Sequence, residues 1–240
     1  WPWLGDYDMN DVVIVSRIDR MMSKDGGKVS ALTINWELRA AGTTYDIAGA
    51  VQMDKVQTSD VAGVVSSHEG FGSGAFASRG LDADSPCAVI PFFNRTEELL
   101  SASNTWKGQP AAAIRKHTTT VTFSQPVDIA SVLDSEMNFF IAPKQRTSEI
   151  HMPGYAPTAS GIIGKGSFLP SDPYKFFVTE GDQAKNNYMM WALMIPGEFR
   201  YPAETNDIRG VYEYFMAWAS SNGAEHAEWY LESADAGRIY

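Results

Sequence analysis

The stretch Leu32-Thr33-Ile34-Asn35-Trp36-Glu37-Leu38-Arg39 alternates apolar and polar residues without a break. In an extended chain, successive side chains point to opposite faces, so this pattern gives a strand with one buried face and one wet face. Wound into a helix, the same four apolar residues would be scattered around the circumference. Tyr45, Ile47, Gly49, Val51 and Met53 repeat the period after the turn-forming Ala41-Gly42-Thr43. The two segments are therefore predicted to pair as an antiparallel hairpin with a somewhat long loop. Further strands are expected at 11–19, 87–93, 117–123, 138–141, 149–152 and 188–195. About eight strands separated by turn chemistry predict a mainly β fold, an antiparallel β-sandwich of jelly-roll-like type.

One segment changes period. Val211, Tyr214, Phe215 and Trp218 fall at i, i+3, i+4 and i+7, the spacing of a single apolar stripe on a helix. This predicts one C-terminal amphipathic helix over 208–221, capped by Asn206 or Asp207 and closed just past its end by Gly223. It would cover one end or face of the sandwich. A shorter helix is expected near 95–100. With 44 % hydrophobic and 12 % aromatic residues the chain has ample material for a core. Trp36, Trp191 and Trp218 lie on apolar faces and are expected to be part of it. Neither a fixed-period repeat nor a linker divides the sequence, so residues 1–240 are read as a single domain.

Composition narrows the partners. The net charge of −10 repels phosphate backbones and argues against nucleic acid. Apolar runs such as 188–196 are far shorter than the roughly 20 residues needed to cross a bilayer as a helix, so membrane attachment would run through an anchor outside this chain. Cys87 is the one cysteine, which excludes an intrachain disulfide or a thiolate metal cluster. At the head of the apolar run 87–93 it is expected to be a buried structural thiol.

The densest chemistry lies at Gly5-Asp6-Tyr7-Asp8-Met9-Asn10-Asp11, directly before Val12-Val13-Ile14-Val15. Asp6, Asp8 and Asn10 place an oxygen-bearing side chain at every second position, and Asp11 adds a fourth. Ca²⁺ collects six to eight oxygens, and such a run delivers several from one short loop. An EF-hand loop would need Gly and Glu where Asp11 and Arg17 stand, so this is not one. Two readings remain open on the residues alone, a Ca²⁺ loop or an acidic turn in which Asp6 or Asp8 bonds backbone amides. Asp82-Ala83-Asp84 is a weaker echo, read as a solvated turn.

Motifs for other chemistries fail. In Gly70-Phe71-Gly72-Ser73-Gly74 the serine comes one place late for a nucleophile elbow. The Gly-rich loops 66–74 and 159–167 lack the spacing of a phosphate-binding loop and are read as surface loops. His68 beside Glu69, and His151 on one strand face with Glu149, are read as ordinary polar neighbours, and the four histidines stand apart in sequence with no zinc spacing. Trp106, in Ser103-Asn104-Thr105-Trp106-Lys107-Gly108, sits among polar residues, where an exposed ring could stack on a sugar or a protein partner.

Several blocks together resemble the LruC domain family of bacterial surface proteins and lipoproteins. Trp1-Pro2 followed by Gly5 to Val13 resembles its W-P-x-x-G-D-Y-D-[FM]-N-D-[LV]-V signature. Glu149-Ile150-His151-Met152-Pro153-Gly154-Tyr155-Ala156-Pro157-Thr158 is similar to its E-I-H-L-P-G-Y-x-P-T segment. Trp191-Ala192-Leu193, Ile195-Pro196 and Phe199-Arg200-Tyr201-Pro202-Ala203-Glu204 resemble its W-A-[IL]…P…F-R-Y-P-x-E block, and 215–219 with 228–230 also match. The resemblance implies a mainly β domain, secreted or anchored at the outer-membrane surface, of a kind common in Bacteroidota and without an established enzymatic activity. Related G-D-x-D-[FY]-N-D segments occur in other bacterial surface domains thought to hold calcium. Two departures from the family are expected: its members usually carry F-E-D before the W-P, where this sequence opens on Trp1-Pro2, and the D-D-D-rich loop of some relatives does not follow Thr158.

The expectation is thus an extracellular, non-enzymatic β-sandwich module, with Ca²⁺ held at Asp6, Asp8, Asn10 and Asp11, serving adhesion or recognition of a cell-surface glycan or protein. The alternatives are a secreted glycan-acting hydrolase whose carboxylates are assembled by the fold, and a purely structural spacer.

Overall fold

The alternating stretch lies within β2 (Lys28–Ala40), where Leu32, Ile34, Trp36 and Leu38 are each 2 % exposed or less. The computed structural model describes residues 6–24, 26–100, 104–109, 112–161, 177–179 and 187–240. Trp1-Pro2 and Gly5 of the N-terminal signature, and the Gly-rich loop beyond Gly161, lie outside the described residues. β2 is flanked by β1 (Val13–Met22) and β6 (His117–Asp128), and β4 (Val61–Ser66) pairs with the far side of β6. A second sheet has the order β5 (Cys87–Phe93), β3 (Ile47–Gln57), β7 (Met137–Pro143), β8 (Ile150–His151). Every pairing is antiparallel. The fold is mainly β, two four-stranded antiparallel sheets with few helices, as the alternation predicts.

The main core is the interior between the sheets. Leu32, Ile34, Trp36 and Val121 from one sheet share a cluster with Val51, Met53, Ile90, Phe92 and Met137 from the other. Burying each large side chain contributes about 1.5–3 kcal/mol, so this interface dominates the favourable side of folding. The second sheet is covered on its outer face as well: Ala48, Ala50, Val89, Phe140 and Ala142 pack with Phe76. β3 therefore reads as a nearly unbroken buried run from Ile47 to Met53.

Three expectations are corrected. β2 and β3 do not form a hairpin. β2 bonds to β1 and β6, β3 bonds to β5 and β7, and residues 41–46 carry the chain from one sheet to the other. Alternation says which face is buried but not which strand lies alongside, and Gly42 is drawn to the N-terminal segment, its N–H donating to the Asn10 carbonyl at 3.1 Å. Strand 188–195 is reduced to β10 (Asn187–Met189), paired with β9 (Phe177–Thr179). The apolar residues that follow serve another core, with Met190 buried and Leu193 and Ile195 packed against it. The helix over 208–221 is two short ones, α1 (Ile208–Val211) and α2 (Phe215–Ser220). Tyr212 leaves the helix because it forms a β-bridge with Ala234 and donates its hydroxyl to the Arg200 carbonyl at 2.7 Å. The caps stand as expected: Asp207 accepts from the Arg209 amide, and the Gly223 N–H closes on the Trp218 carbonyl.

β4 has no counterpart in the periodicity, because Val61-Ala62-Gly63-Val64-Val65-Ser66 does not alternate and lies at a sheet edge, with Val65 74 % exposed. The expected helix near 95–100 is a single 3₁₀ turn, Thr96–Glu98. Residues 190–240 build a second cluster around Trp229, which is 1 % exposed among Tyr212, Phe215 and Ile239. Tyr7 and Met9 pack against this cluster, so the N-terminal segment lies between the sandwich and the C-terminal region.

Candidate functional site

The acidic N-terminal segment is irregular rather than extended. Tyr7 and Met9 both adopt left-handed backbone conformations, φ 59° and 54°, each at a cost of order 1 kcal/mol for a non-glycine residue. The surroundings hold them there. The Tyr7 carbonyl accepts from Ile208 N–H at 2.9 Å, and the Asp8 carboxylate accepts from the Thr205 N–H at 3.0 Å and the Asn10 N–H at 3.4 Å. Asn10 donates its side-chain N–H to the Pro202 carbonyl at 3.0 Å. An Asx-type turn is therefore present, and it is welded to residues 202–208.

Asp8 is 2 % exposed and Asn10 fully buried, whereas Asp6 and Asp11 are exposed. One oxygen from each of Asp6, Asp8 and Glu204 lies within 4.8 Å of the others. Glu204 is the residue the spacing did not point to. It closes the family-like Phe199 to Glu204 block, far along the chain from the acidic segment, and no local pattern marks it as a ligand. Its Oε2 accepts from Thr105 Oγ1 at 2.5 Å. Asp11 does not join that convergence, though its carboxyl is raised by desolvation, the protein crowding that side of an otherwise exposed residue, and by the charges of Asp6 and Glu204. Among the described residues no Lys or Arg forms an ion pair with Asp6, Asp8, Asp11 or Glu204. Burial pushes the Asp8 carboxyl up to about 7, the Thr205 amide opposes this, and the charges of Asp6 and Glu204 add to it.

Trp106 is 51 % exposed on a loop braced from several sides. Asn104 accepts from Ala41 N–H and donates to the Arg39 carbonyl, Thr105 holds Glu204, and Trp106 N–H donates to Gln109 Oε1 at 3.0 Å. Asn104 also lines a broad groove of about 1820 Å³ whose lining includes Asp6, Asp8 and Asp11. Residues of β1, of β7 and β8, and of 190–201 line it as well.

The remaining polar candidates resolve differently. His68 turns to Glu98, at 3.4 Å, and not to its neighbour Glu69, while its ring meets that of His117 at 5.0 Å. Tertiary structure thus joins two histidines that the sequence separates by a β-hairpin's length and more. Glu149 and His151 are both buried and bond at 2.9 Å. Arg146 bridges Glu149 to Asp82, so Asp82 is an ion-pair partner at 3.0 Å and not a solvated turn residue. Trp36 is core as expected, and Trp191 and Trp218 are half-buried. Cys87 is a half-buried thiol at the start of β5.

The sequence model of DUF4842, a domain of unknown function, matches residues 27–230. The chain belongs to the DUF4842 family. None of the curated proteins matches it. The fold of this DUF4842 chain is similar to the crystal structure of a candidate lipoprotein from Bacteroides ovatus, with a TM-score of 0.68 at 17 % identity. The likeness covers 98 % of this chain and 70 % of the other, and at that identity it speaks to the fold.

Proposed function

We propose that this DUF4842 domain is a recognition module of the bacterial cell surface, of LruC type, that binds a glycan or protein partner and carries out no chemistry of its own. The observation that carries the reading is Trp106: a large ring half open to solvent on a loop whose backbone and neighbours are tied down by hydrogen bonds. A braced loop presents its ring with little conformational entropy left to lose, which is how aromatic anchors reach high contact energies. The lipoprotein character of the structural neighbour and the LruC-like blocks support placement at the cell surface.

A second reading, a glycan hydrolase, draws on Asp6 and Asp8 lining the groove. It is disfavoured because Asp8 is buried and spends both oxygens on backbone amides, whereas a glycosidase carboxylate must reach the scissile bond. The test is a glycan array with the purified chain, followed by titration of any hit against Trp106→Ala. Loss of at least about tenfold in affinity, the scale of a Trp anchor, at unchanged Tm supports the reading. Cleavage of the bound glycan would instead make it a hydrolase, and a hit whose affinity is unchanged in Trp106→Ala would overturn the role given to that ring.

A further inference from the structure

Asn10 is buried to 0 % exposure, and its Oδ1 has no hydrogen-bond partner. The orientation of the amide is set independently. Its nitrogen donates to the Pro202 carbonyl at 3.0 Å, and swapping the two ends would set oxygen against oxygen. The orphaned oxygen is thereby aimed away from Pro202 and over Gly42, where it and Glu204 Oε2 crowd the same point: a Cβ placed on Gly42 would collide with Asn10 Oδ1 and lie 3.0 Å from Glu204 Oε2. A buried acceptor left unsatisfied is costly and rare in folded proteins. Here it sits near Glu204, whose carboxylate converges with those of Asp6 and Asp8, and among the described residues none of the three forms an ion pair with Lys or Arg.

We propose that Asp6, Asp8 and Glu204, together with the amide oxygen of Asn10, form a Ca²⁺ site that clasps the N-terminal segment to the C-terminal region. The donor set is all oxygen, which selects a hard cation and not zinc. Oxygens on opposite sides of Ca²⁺ at 2.3–2.6 Å stand roughly 4.6–5.2 Å apart, and the three carboxylate oxygens already lie within 4.8 Å of one another. The shorter Mg²⁺ bonds would need tighter convergence and near-octahedral order. The ligands come from both ends of the fold, so the ion joins what the sequence keeps apart. It also relieves the repulsion of the carboxylates and supplies the missing partner of Asn10. Asp11 is outside this inner set.

The test is thermal unfolding of the full chain in excess EGTA, in millimolar Ca²⁺ and in millimolar Mg²⁺, alongside Tb³⁺ luminescence sensitised by Tyr7. Ca²⁺ at 100 times its Kd is expected to raise Tm by at least about 5 °C, Mg²⁺ by much less, and Tb³⁺ emission is expected to fall when Ca²⁺ is added. Asp6→Asn and Glu204→Gln should each abolish most of the shift, and Asp11→Asn should keep most of it. Asp6 is exposed, so its variant folds and keeps the assay readable even where Glu204→Gln disturbs packing with Thr105. No Ca²⁺-dependent shift in the unaltered chain would overturn the proposal. So would a shift that survives both Asp6→Asn and Glu204→Gln, or one that only Asp11→Asn removes.

Discussion

Asn10 Oδ1 and Glu204 Oε2 meet over the α-carbon of Gly42, one residue from each end of the chain converging on the turn that links the two sheets. The glycine is required by the space above it and not by its backbone, because any side chain there would occupy the position where the two oxygens converge. Gly42→Ala is expected to destabilise the fold by about 1–3 kcal/mol, the usual cost of an overpacked interior. Urea denaturation checks this, and a neutral result would mean that Asn10 and Glu204 can separate freely.

Glu149 is buried at 1 % exposure and its two oxygens are fully engaged, with Arg146 and Thr158 Oγ1 on one and His151 and the Thr158 amide on the other. Burial alone would raise its carboxyl. The bonds from His151 and Thr158 and the charge of Arg146 outweigh that, so it lies below its ordinary value of 4.5. A carboxyl depressed in the folded state contributes stability above its unfolded value, and the contribution is lost as pH falls through the folded one. Glu149→Ala should cost about 1–3 kcal/mol at neutral pH, since it removes the acceptor of the buried Thr158 amide, while Arg146 keeps its ion pair with Asp82. Denaturation at pH 7 and again below pH 4 should show the gap between variant and parent shrinking in acid.

His117 stacks on Trp36 at 4.7 Å and meets His68 edge-on. Burial, then the proximity of His68 and Arg115, pushes its imidazole below the ordinary 6.5. Protonation is therefore easier in the unfolded chain. The contribution of His117 to stability is complete above pH 6.5 and is lost as the pH falls below it. Tm measured at steps from pH 7.5 to 5 in the parent and in His117→Phe, which keeps a ring against Trp36, should show the parent losing ground relative to the variant as the pH falls.

Trp229 anchors the C-terminal cluster, with Phe215 at 4.9 Å and Tyr212 at 5.0 Å between ring centres. Trp229→Ala should cost about 3–5 kcal/mol. With the N-terminal segment packed between this cluster and the sandwich, the loss is expected to shift one cooperative transition of the whole chain in calorimetry. Two resolved transitions would instead divide residues 1–240 into separate units.

Much of the sandwich was legible because period-2 alternation is a local property: one strand's residues reveal its buried face, and 87–93 is β5 to the residue. Strand partners were not legible. The same alternation suits any neighbour, so only the packed structure decides that β2 and β3 part into different sheets. The break between α1 and α2 was hidden for the same reason, because it depends on Ala234 and Arg200 reaching Tyr212. By itself the sequence determined a mainly β chain with an oxygen-rich loop at Asp6, Asp8, Asn10 and Asp11. Tertiary structure alone brought Glu204 to Asp6 and Asp8, turned the Asn10 oxygen toward it and left Asp11 aside, since convergence of ligands from distant segments is a property of chain folding and leaves no trace in local spacing.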